Sequence, residues 1–312
     1  MRVVFAGSAE FSVPVLRALL ASDHEVVQVL TAPEGTGSRG ARAARPVRAE
    51  AESQGLPVEQ PPHLTPRFWQ DSPARLQPEA LVVAAYGQLL PGEVLQTLPH
   101  GGLGVHPSLL PRHRGASPVA AAILSGDSRT GVTVFRMGPR MDSGPILAQQ
   151  AVPLPATATT PDLTGLLAQL GAPLLLQVLD DLESGQVREI PQLESAATYS
   201  HRLGRQDGRL EWTQSSEQLD RQLRALHPWP GVTIPLAGSR VKLLQGASAQ
   251  LPEAGKGAAP GEILGRGSDW ILVHTSDSAF RVELIQPPGS RPMSPSAFLR
   301  GRPRGTAEHQ HG

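Results

Sequence analysis

The beginning of the chain, from Met1 to Leu30, alternates between two kinds of apolar pattern, and this limits the folds it can adopt. A short apolar run covers Met1–Phe5, and a second strand-like run covers His24–Leu30. Between them, Glu10–Leu20 places apolar side chains at helical spacing. A strand, a helix and a strand in this order predict parallel strands, because the helix returns the chain to the same end of the sheet. We therefore expect an α/β fold with a doubly wound, Rossmann-like parallel sheet.

The same alternation continues through the first half of the sequence. Further strands are predicted at Leu81–Ala85, Leu103–His106 and Val132–Phe135, and helices at Pro118–Leu124 and Pro161–Leu182. We predict that this α/β domain spans residues 1–188.

The composition changes after this point. Residues 189–206 are polar with few apolar runs, which predicts a linker. Residues 207–302 carry short strand-like segments separated by Gly and Pro, with one helix at Ser216–Leu226. Short strands at this spacing predict a small C-terminal β-barrel of the OB type. We expect the tail, residues 303–312, to be disordered.

The composition excludes several classes of protein. The chain has 312 residues, a formal net charge of zero and no cysteine, which excludes disulfides, thiolate nucleophiles and cysteine-based zinc sites. No apolar run reaches about 18 residues, and the N-terminus lacks the pattern of a signal peptide. We therefore expect a cytoplasmic monomer that does not bind membranes. Because the net charge is zero, contacts with nucleic acid would have to come from local arginine clusters.

A histidine and an aspartate each follow a predicted strand and enter a turn rich in Gly and Pro. His106 ends the strand Leu103–His106, and Asp142 comes shortly after the strand Val132–Phe135. This layout is typical of an acid/base pair on adjacent loops at the edge of a sheet. Each residue alone has a simpler interpretation, since a histidine at a strand end is usually structural. An aspartate before Ser-Gly usually forms a turn.

The sequence blocks around these two residues are more specific than either residue alone. They read His106-x-Ser-Leu-Leu-Pro111-Arg-x-Arg-Gly115-x-x-Pro118, Gly126-Asp127 with Thr130-Gly131-Val-Thr, and Met141-Asp142-x-Gly144-x-Ile-Leu147. The chain also contains Phe5-x-Gly7-x-x-x-Phe11-x-Val13-Pro14-x-Leu16, Asp207-Gly-Arg-Leu-Glu-Trp212, Arg224-Ala-Leu-x-Pro228-Trp-Pro-Gly231 and Met293-Ser-x-x-x-Phe298-Leu-x-Gly301. The first group resembles the folate-dependent formyltransferases, and the second resembles their methionyl-tRNA branch. The resemblance covers nearly the whole chain.

The resemblance implies transfer of a formyl group from 10-formyltetrahydrofolate to the α-amine of methionine on initiator tRNA, for translation initiation. It implies that His106 moves protons and contacts the oxyanion, and that Asp142 orients His106. It requires no metal. It also implies that two segments bracket the folate: Tyr86, Gly87, Leu89 and Leu90, and Ser108, Leu109, Leu110 and Pro111. Tyr86 has an equal alternative as a packing aromatic.

A Gly-rich loop between the second strand and the next helix carries four arginines: Arg39, Arg42, Arg45 and Arg48. Taken alone, it is typical of a mobile, solvated loop. The resemblance implies that these arginines contact the acceptor end of the tRNA through its phosphates and bases.

One position departs from the family pattern. The family places an asparagine two residues before the histidine, where its carboxamide helps to hold the formyl oxygen, but this chain has Gly104. Gln88, a water molecule or a backbone N–H would have to replace that contact, or this copy is catalytically impaired. Two alternatives therefore stay open: a formyltransferase acting on a sugar nucleotide or another amine, and a homologue that binds tRNA or folate without turnover.

Overall fold

The computed structural model describes residues 1–33 and 46–300. The chain divides into two compact units, Met1–Arg202 and Leu203–Gly312. The division falls within the segment 189–206 that we predicted as a linker. Most of that segment, residues 189–202, belongs to the first unit. The tail that we predicted to be disordered lies outside the described residues.

The first unit contains nine strands and six α-helices within the described residues. The strands are β1 (Arg2–Gly7), β2 (Glu25–Leu30), β3 (Val58–Glu59), β4 (Ala80–Ala84), β5 (Gly102–His106), β6 (Arg114–Gly115), β7 (Arg129–Arg136), β8 (Ile146–Pro153) and β9 (Tyr199–Ser200). The helices are α1 (Ser12–Leu20), α2 (Pro46–Ser53), α3 (Pro66–Asp71), α4 (Gly92–Gln96), α5 (Pro118–Leu124) and α6 (Thr160–Glu183).

Seven of these strands form one sheet in the order β3-β2-β1-β4-β5-β7-β8. The first five strands in this order, β3, β2, β1, β4 and β5, are parallel to one another. Strand β7 is antiparallel to β5, and β8 is antiparallel to β7. The strand order reverses between β1 and β4, as in doubly wound folds. The predicted Rossmann-like α/β class is confirmed, with an antiparallel extension at one edge. Strands β6 and β9 form a separate parallel pair.

Helices cover the sheet because its central strands are apolar on both faces. In β1, every residue from Val3 to Gly7 is buried. Helix α6 begins with a capping box formed by Thr159 and Asp162, and it packs against β7 and β8. A Cβ on Gly171 would lie 3.0 Å from the methyl groups of Val105 and Val132, so the glycine lets the helix approach the sheet closely.

Within the described residues, α6 alone is long and apolar enough to cross a membrane, judged by its length and composition. This is weak evidence, since the core helix of a soluble protein has the same properties. Here 44% of its most apolar window is buried in the protein. The expectation that the chain binds no membrane stays a prediction.

The second unit is a small β domain. Its elements are α7 (Ser216–Ala225), β10 (Val232–Leu236), β11 (Ser239–Ala249), β12 (Ile263–Arg266), β13 (Ile271–His274), β14 (Ala279–Gln286) and α8 (Pro295–Arg300). The five strands form an antiparallel sheet in the order β10-β11-β14-β13-β12. Phe280 and Trp212 are buried in its core, and α7 packs on β11. The predicted C-terminal domain of short strands is confirmed as an antiparallel five-stranded sheet, and α7 lies where one helix was predicted, whereas α8 was not predicted.

Candidate active site

The candidate site lies beside β5, which carries Gly104 and His106 on one face because side chains alternate along a strand. Strand β4 runs parallel to β5, with Val82 opposite Leu103. The carboxyl ends of these two strands therefore meet at the same edge of the sheet. This brings together the segments that follow them, the two segments that we predicted to bracket a folate.

The loop that carries Asp142 reaches the site by a route that the sequence did not predict. Because β7 is antiparallel to β5, with Arg136 opposite Leu103, the loop of residues 137–145 starts beside the beginning of β5. That is the end of β5 away from His106. The loop has to turn back along β5 to bring Asp142 to the histidine, rather than leaving from the same sheet edge as we expected.

The structure places His106 and Asp142 together. His106 Nδ1 lies 3.7 Å from Asp142 Oδ2, and the two side chains are only 8% and 18% exposed. His106 Nε2 lies 3.0 Å from the carbonyl oxygen of His113. The contact with the His113 carbonyl requires an N–H at Nε2, and Nδ1 faces the Asp142 carboxylate without a hydrogen bond to it. The ring of Phe135 meets the His106 ring edge-on, with centroids 6.4 Å apart.

Asp142 is held in an unusual backbone conformation. Its φ angle is 50°, in the left-handed region that residues other than glycine rarely adopt. Its Oδ2 accepts a hydrogen bond of 2.7 Å from the Gly115 N–H. A Cβ on Gly144 would overlap the carbonyl oxygen of Arg136, so the loop needs glycine there to pack against β7. Contacts from elsewhere in the first unit thus direct the carboxylate toward His106.

The residue whose carbonyl faces His106 is itself anchored through its side chain. His113 is buried, with a φ angle of 57°. Its Nε2 lies 2.7 Å from Asp127 Oδ2, and Arg112 donates to the other oxygen of Asp127 at 2.5 Å. The His113 ring is thereby anchored, and its carbonyl oxygen stays directed at His106.

The first predicted folate segment follows β4. The side chain of Tyr86 is 2% exposed and packs in an apolar cluster with Leu30, Trp69 and Leu81. Burial raises its pKa to about 12, and its hydroxyl is buried without a hydrogen-bond partner among the described residues. The neighbouring predicted residues, Gly87 and Leu89, are exposed, whereas Leu90 is half-buried against the same cluster.

The second predicted folate segment is a tight turn fixed by two polar residues that the sequence analysis missed. Thr133 Oγ1 donates to the Ser108 carbonyl at 2.6 Å and accepts from the Leu110 N–H at 3.2 Å. Gln149 donates to Thr133 and to the Leu110 carbonyl. Ser108 is fully buried, and its hydroxyl donates to the Arg112 carbonyl. The turn continues through Leu109 and Pro111, which are half-buried.

The arginines predicted to contact tRNA are only partly described. Arg39, Arg42 and Arg45 lie outside the described residues. Arg48 lies on α2, where it donates to Glu52 at 2.7 Å and to Gln60 at 2.9 Å. Its guanidinium therefore has partners inside the protein.

The two halves of the sequence match two models of one family. The model described as formyl transferase matches residues 1–179, and the model described as formyl transferase, C-terminal domain, matches residues 202–303. The chain belongs to the formyltransferase family. It is 43% identical to methionyl-tRNA formyltransferase of Chloroflexus aurantiacus over 303 residues, covering 96% of this chain and 97% of that protein. It is 40% identical to methionyl-tRNA formyltransferase of Gluconobacter oxydans over 305 residues, with 97% of each chain covered.

Two solved structures that the chain resembles have the same fold. HypX from Aquifex aeolicus in complex with tetrahydrofolic acid has a TM-score of 0.65 and 19% identity, covering 96% of this chain. This chain spans 47% of the HypX chain. The N-formyltransferase from Helicobacter canadensis, in complex with folinic acid and dTDP-3-aminofucose, has a TM-score of 0.66 and 15% identity, covering 90% of this chain and 98% of that one. At these identities the likeness shows the fold alone.

The glycine that departs from the formyltransferase pattern is covered by an aromatic ring. Gly104 lies opposite Phe135 on the neighbouring strand β7. A Cβ on Gly104 would overlap Cε1 of the Phe135 ring and lie 2.5 Å from its Cζ. The ring therefore occupies the space into which a side chain at position 104 would extend.

Gln88, which we considered as a substitute for the absent carboxamide, is already engaged. Its Oε1 accepts from the Leu64 N–H at 3.1 Å, and its Nε2 donates to the Pro61 carbonyl at 2.9 Å. Both the oxygen and the nitrogen of this carboxamide are thus hydrogen-bonded to the backbone of residues 61 and 64.

A polar network around the buried Arg114, next to the candidate pair, was not predicted from the sequence. Arg114 is fully buried and donates to Gln192, Glu194 and Tyr199. Arg114 belongs to the block that carries the family resemblance, which was an available signal. Gln192 and Glu194 lie in the predicted linker, where no periodic pattern marked them.

Among the residues that the structure describes, one cluster has the donor types for a metal: His24, Asp180 and Glu183. The N-terminal ammonium lies 3.2 Å from His24 Nδ1 and donates to Glu183. An ammonium group of the protein itself thus already contacts two of the three potential ligands.

Proposed function

We propose that this protein transfers the formyl group of 10-formyltetrahydrofolate to the α-amine of initiator methionyl-tRNA, in the cytoplasm, for translation initiation. The observation that carries the proposal is the buried His106–Asp142 pair in a chain that is 43% identical to a methionyl-tRNA formyltransferase over nearly its full length. The family match in both halves of the chain supports the same activity.

The chemistry requires one proton to move. The neutral amine attacks the formyl carbon, and a C–N bond forms as the carbonyl oxygen becomes an oxyanion. The bond from the formyl carbon to N10 of the folate then breaks, while the proton lost by the amine passes to N10. A positioned acid/base group typically accelerates such transfers about 10²–10⁴-fold.

His106 can move this proton at one nitrogen. Its Nε2 is engaged by the His113 carbonyl, whereas Nδ1 lies 3.7 Å from Asp142, beyond hydrogen-bond distance. We assign proton exchange with substrate to Nδ1. The Asp142 carboxylate would keep the ring oriented and stabilise it while it carries the extra proton.

The folate would bind where the carboxyl ends of β4 and β5 meet. The exposed Gly87 and Leu89 supply one wall, and the turn from Ser108 to Pro111 supplies the other. Tyr86 would support this site from the apolar core beneath it. The fixed turn suits a preformed pocket.

The tRNA would be held by the arginine-rich loop. Substitution of Arg39 and Arg42 should raise the KM for tRNA and leave folate binding unchanged, because arginines of this kind bind phosphates and terminal bases. An unchanged KM for tRNA would contradict this assignment.

A second candidate function, binding of folate or tRNA without turnover, is favoured by the Gly104–Phe135 arrangement. The ring occupies the space of any side chain at position 104. Loss of one oxyanion donor typically costs about 10²–10³ in kcat. Under the main proposal, His106 or a backbone N–H makes that contact instead.

A single-turnover assay with methionyl-tRNA and 10-formyltetrahydrofolate tests the proposal. We expect formylmethionyl-tRNA with the wild-type chain and with the Gln186→Ala control, which alters an exposed side chain in the same unit. Formylation of a sugar nucleotide in preference to methionyl-tRNA would support the other enzyme class. Binding of tRNA or folate without product would support the second candidate.

A further inference from the structure

Asp142 has to be held in place by residues outside its own loop. The loop starts beside the first residues of β5, at the end away from His106, and Asp142 adopts a left-handed φ of 50°. Such backbone conformations persist only where the surrounding structure holds them. The Gly115 N–H binds the carboxylate, but it does not fix the main chain of the loop.

Gln192 binds that main chain directly. Its Nε2 donates to the carbonyl of Asp142 at 2.8 Å and to the carbonyl of Gly144 at 2.6 Å. A side-chain amide nitrogen has two N–H donors, and both are used here. One side chain thus spans the backbone on both sides of Ser143.

Arg114 fixes which way the Gln192 amide faces. Gln192 Oε1 accepts from Arg114 Nε at 3.1 Å and from a terminal guanidinium nitrogen at 3.0 Å. A guanidinium offers only donors and a carbonyl only acceptors, so the oxygen of the amide has to face Arg114 and the nitrogen has to face the loop. The two sets of contacts leave no alternative orientation.

Arg114 is itself buried and fully engaged. It is 0% exposed, and its terminal nitrogens donate to both carboxylate oxygens of Glu194 at 3.1 Å and to the Tyr199 hydroxyl at 3.0 Å. Its neighbours in sequence complete the site, since the His113 carbonyl faces His106 and the Gly115 N–H binds Asp142. Residues 113–115 thus make contacts with both candidate catalytic side chains.

We propose that Gln192, oriented by Arg114, is a positioning residue that holds Asp142 opposite His106. This inference rests on the proposed function, because it assigns Gln192 a role through Asp142 in that reaction. The segment after α6 thereby becomes part of the active-site framework. Gln192 itself does not touch the reacting atoms.

Gln192→Glu separates this role from simple stability. The new carboxylate keeps an acceptor for Arg114 but replaces the two N–H donors with an oxygen that faces two carbonyl oxygens. We expect kcat to fall by about tenfold to a hundredfold, while KM for methionyl-tRNA and for the folate changes less than about twofold. The melting temperature should stay within a few degrees of wild type. Gln192→Ala should lower kcat similarly, and Gln186→Ala should not.

A double-mutant cycle with Asp142→Asn decides whether Gln192 acts through Asp142. If it does, Gln192→Glu should cost less than about twofold in the Asp142→Asn background. Equal costs in both backgrounds would overturn the proposal. Equal kcat for wild type and Gln192→Glu would overturn it as well.

Amide hydrogen exchange gives a readout that needs no activity. Residues 140–146 should exchange faster in Gln192→Glu than in wild type, with exchange in β5 unchanged. Unchanged exchange in residues 140–146 would show that Gln192 does not hold this loop. If the wild-type chain formylated no methionyl-tRNA, the proposed function would fail. Hydrogen exchange would still test whether Gln192 holds the loop of Asp142.

Discussion

His106 and Asp142 face each other, but the protein positions them in different ways. His106 is the last residue of a buried strand, so its place follows from local pattern and from pairing with β4 and β7. Asp142 lies in a loop that turns back along the sheet, and distant residues, Gly115 and Gln192, hold it. One half of the proposed acid/base pair is thus built into the sheet, while the other depends on contacts with residues far away in the sequence.

Substitution of the two residues themselves should give the largest effects. His106→Ala should lower the single-turnover rate by about 10³-fold, because it removes the proton-transfer group. Asp142→Asn should cost less, roughly 10–10²-fold, since it leaves the imidazole in place. A larger loss for Asp142→Asn than for His106→Ala would reverse the roles that we assign. Circular dichroism of both variants checks that the fold is retained.

Gly104→Asn tests how tightly the Phe135 ring packs over position 104. The new side chain would meet the Phe135 ring, so we expect a loss of roughly 1–3 kcal/mol in the free energy of unfolding, as is typical of overpacking. Restored activity is therefore not expected from this substitution alone.

The double variant Gly104→Asn with Phe135→Ala removes the ring and makes room for the carboxamide. We expect it to react faster than Phe135→Ala alone, measured by single turnover. No gain over Phe135→Ala would show that the chain does not use a carboxamide at position 104.

Tyr86→Phe distinguishes the two roles considered for Tyr86, folate binding and core packing. Its hydroxyl is buried without a partner among the described residues, and burial raises its pKa to about 12. We expect the variant to be as stable as wild type or more stable by up to about 1 kcal/mol, because a buried, unpaired hydroxyl is unfavourable. Urea unfolding measures this change. A raised KM for the folate would instead show that the hydroxyl binds the substrate.

The smallest expected effect concerns how the contact between Arg114 and Glu194 changes the melting temperature with pH. The hydrogen bond from Arg114 lowers the pKa of Glu194 below its ordinary value of 4.5. A carboxyl with a lowered pKa stabilises the folded state above that ordinary value, and the contribution is lost as the pH falls through the folded-state pKa. Between pH 6 and pH 3, the melting temperature of wild type should fall slightly more than that of Glu194→Gln. Because Glu194 is half-exposed, the difference should be small.

The central strands of the first sheet, the helices α1, α5 and α6, and the short strands of the second unit followed from the sequence because each has a repeating apolar pattern. The pattern from Met1 to Leu30 predicted the parallel sheet, and the short strands after residue 207 predicted a separate β domain. The antiparallel direction of β7 did not follow, because strand direction depends on the connection and not on the strand's own residues. The hairpin between β7 and β8 was missed for the same reason.

By itself, the sequence determined the fold class, the family and the pair of residues on which the proposed chemistry depends. These are recorded in local periodicity and in short motifs. Only the tertiary structure decided how Asp142 reaches His106, that Phe135 covers Gly104, and that Gln192 binds the loop of residues 137–145. These contacts join residues far apart in the chain, and hydrogen bonds between single side chains and carbonyl groups leave no periodic pattern to read.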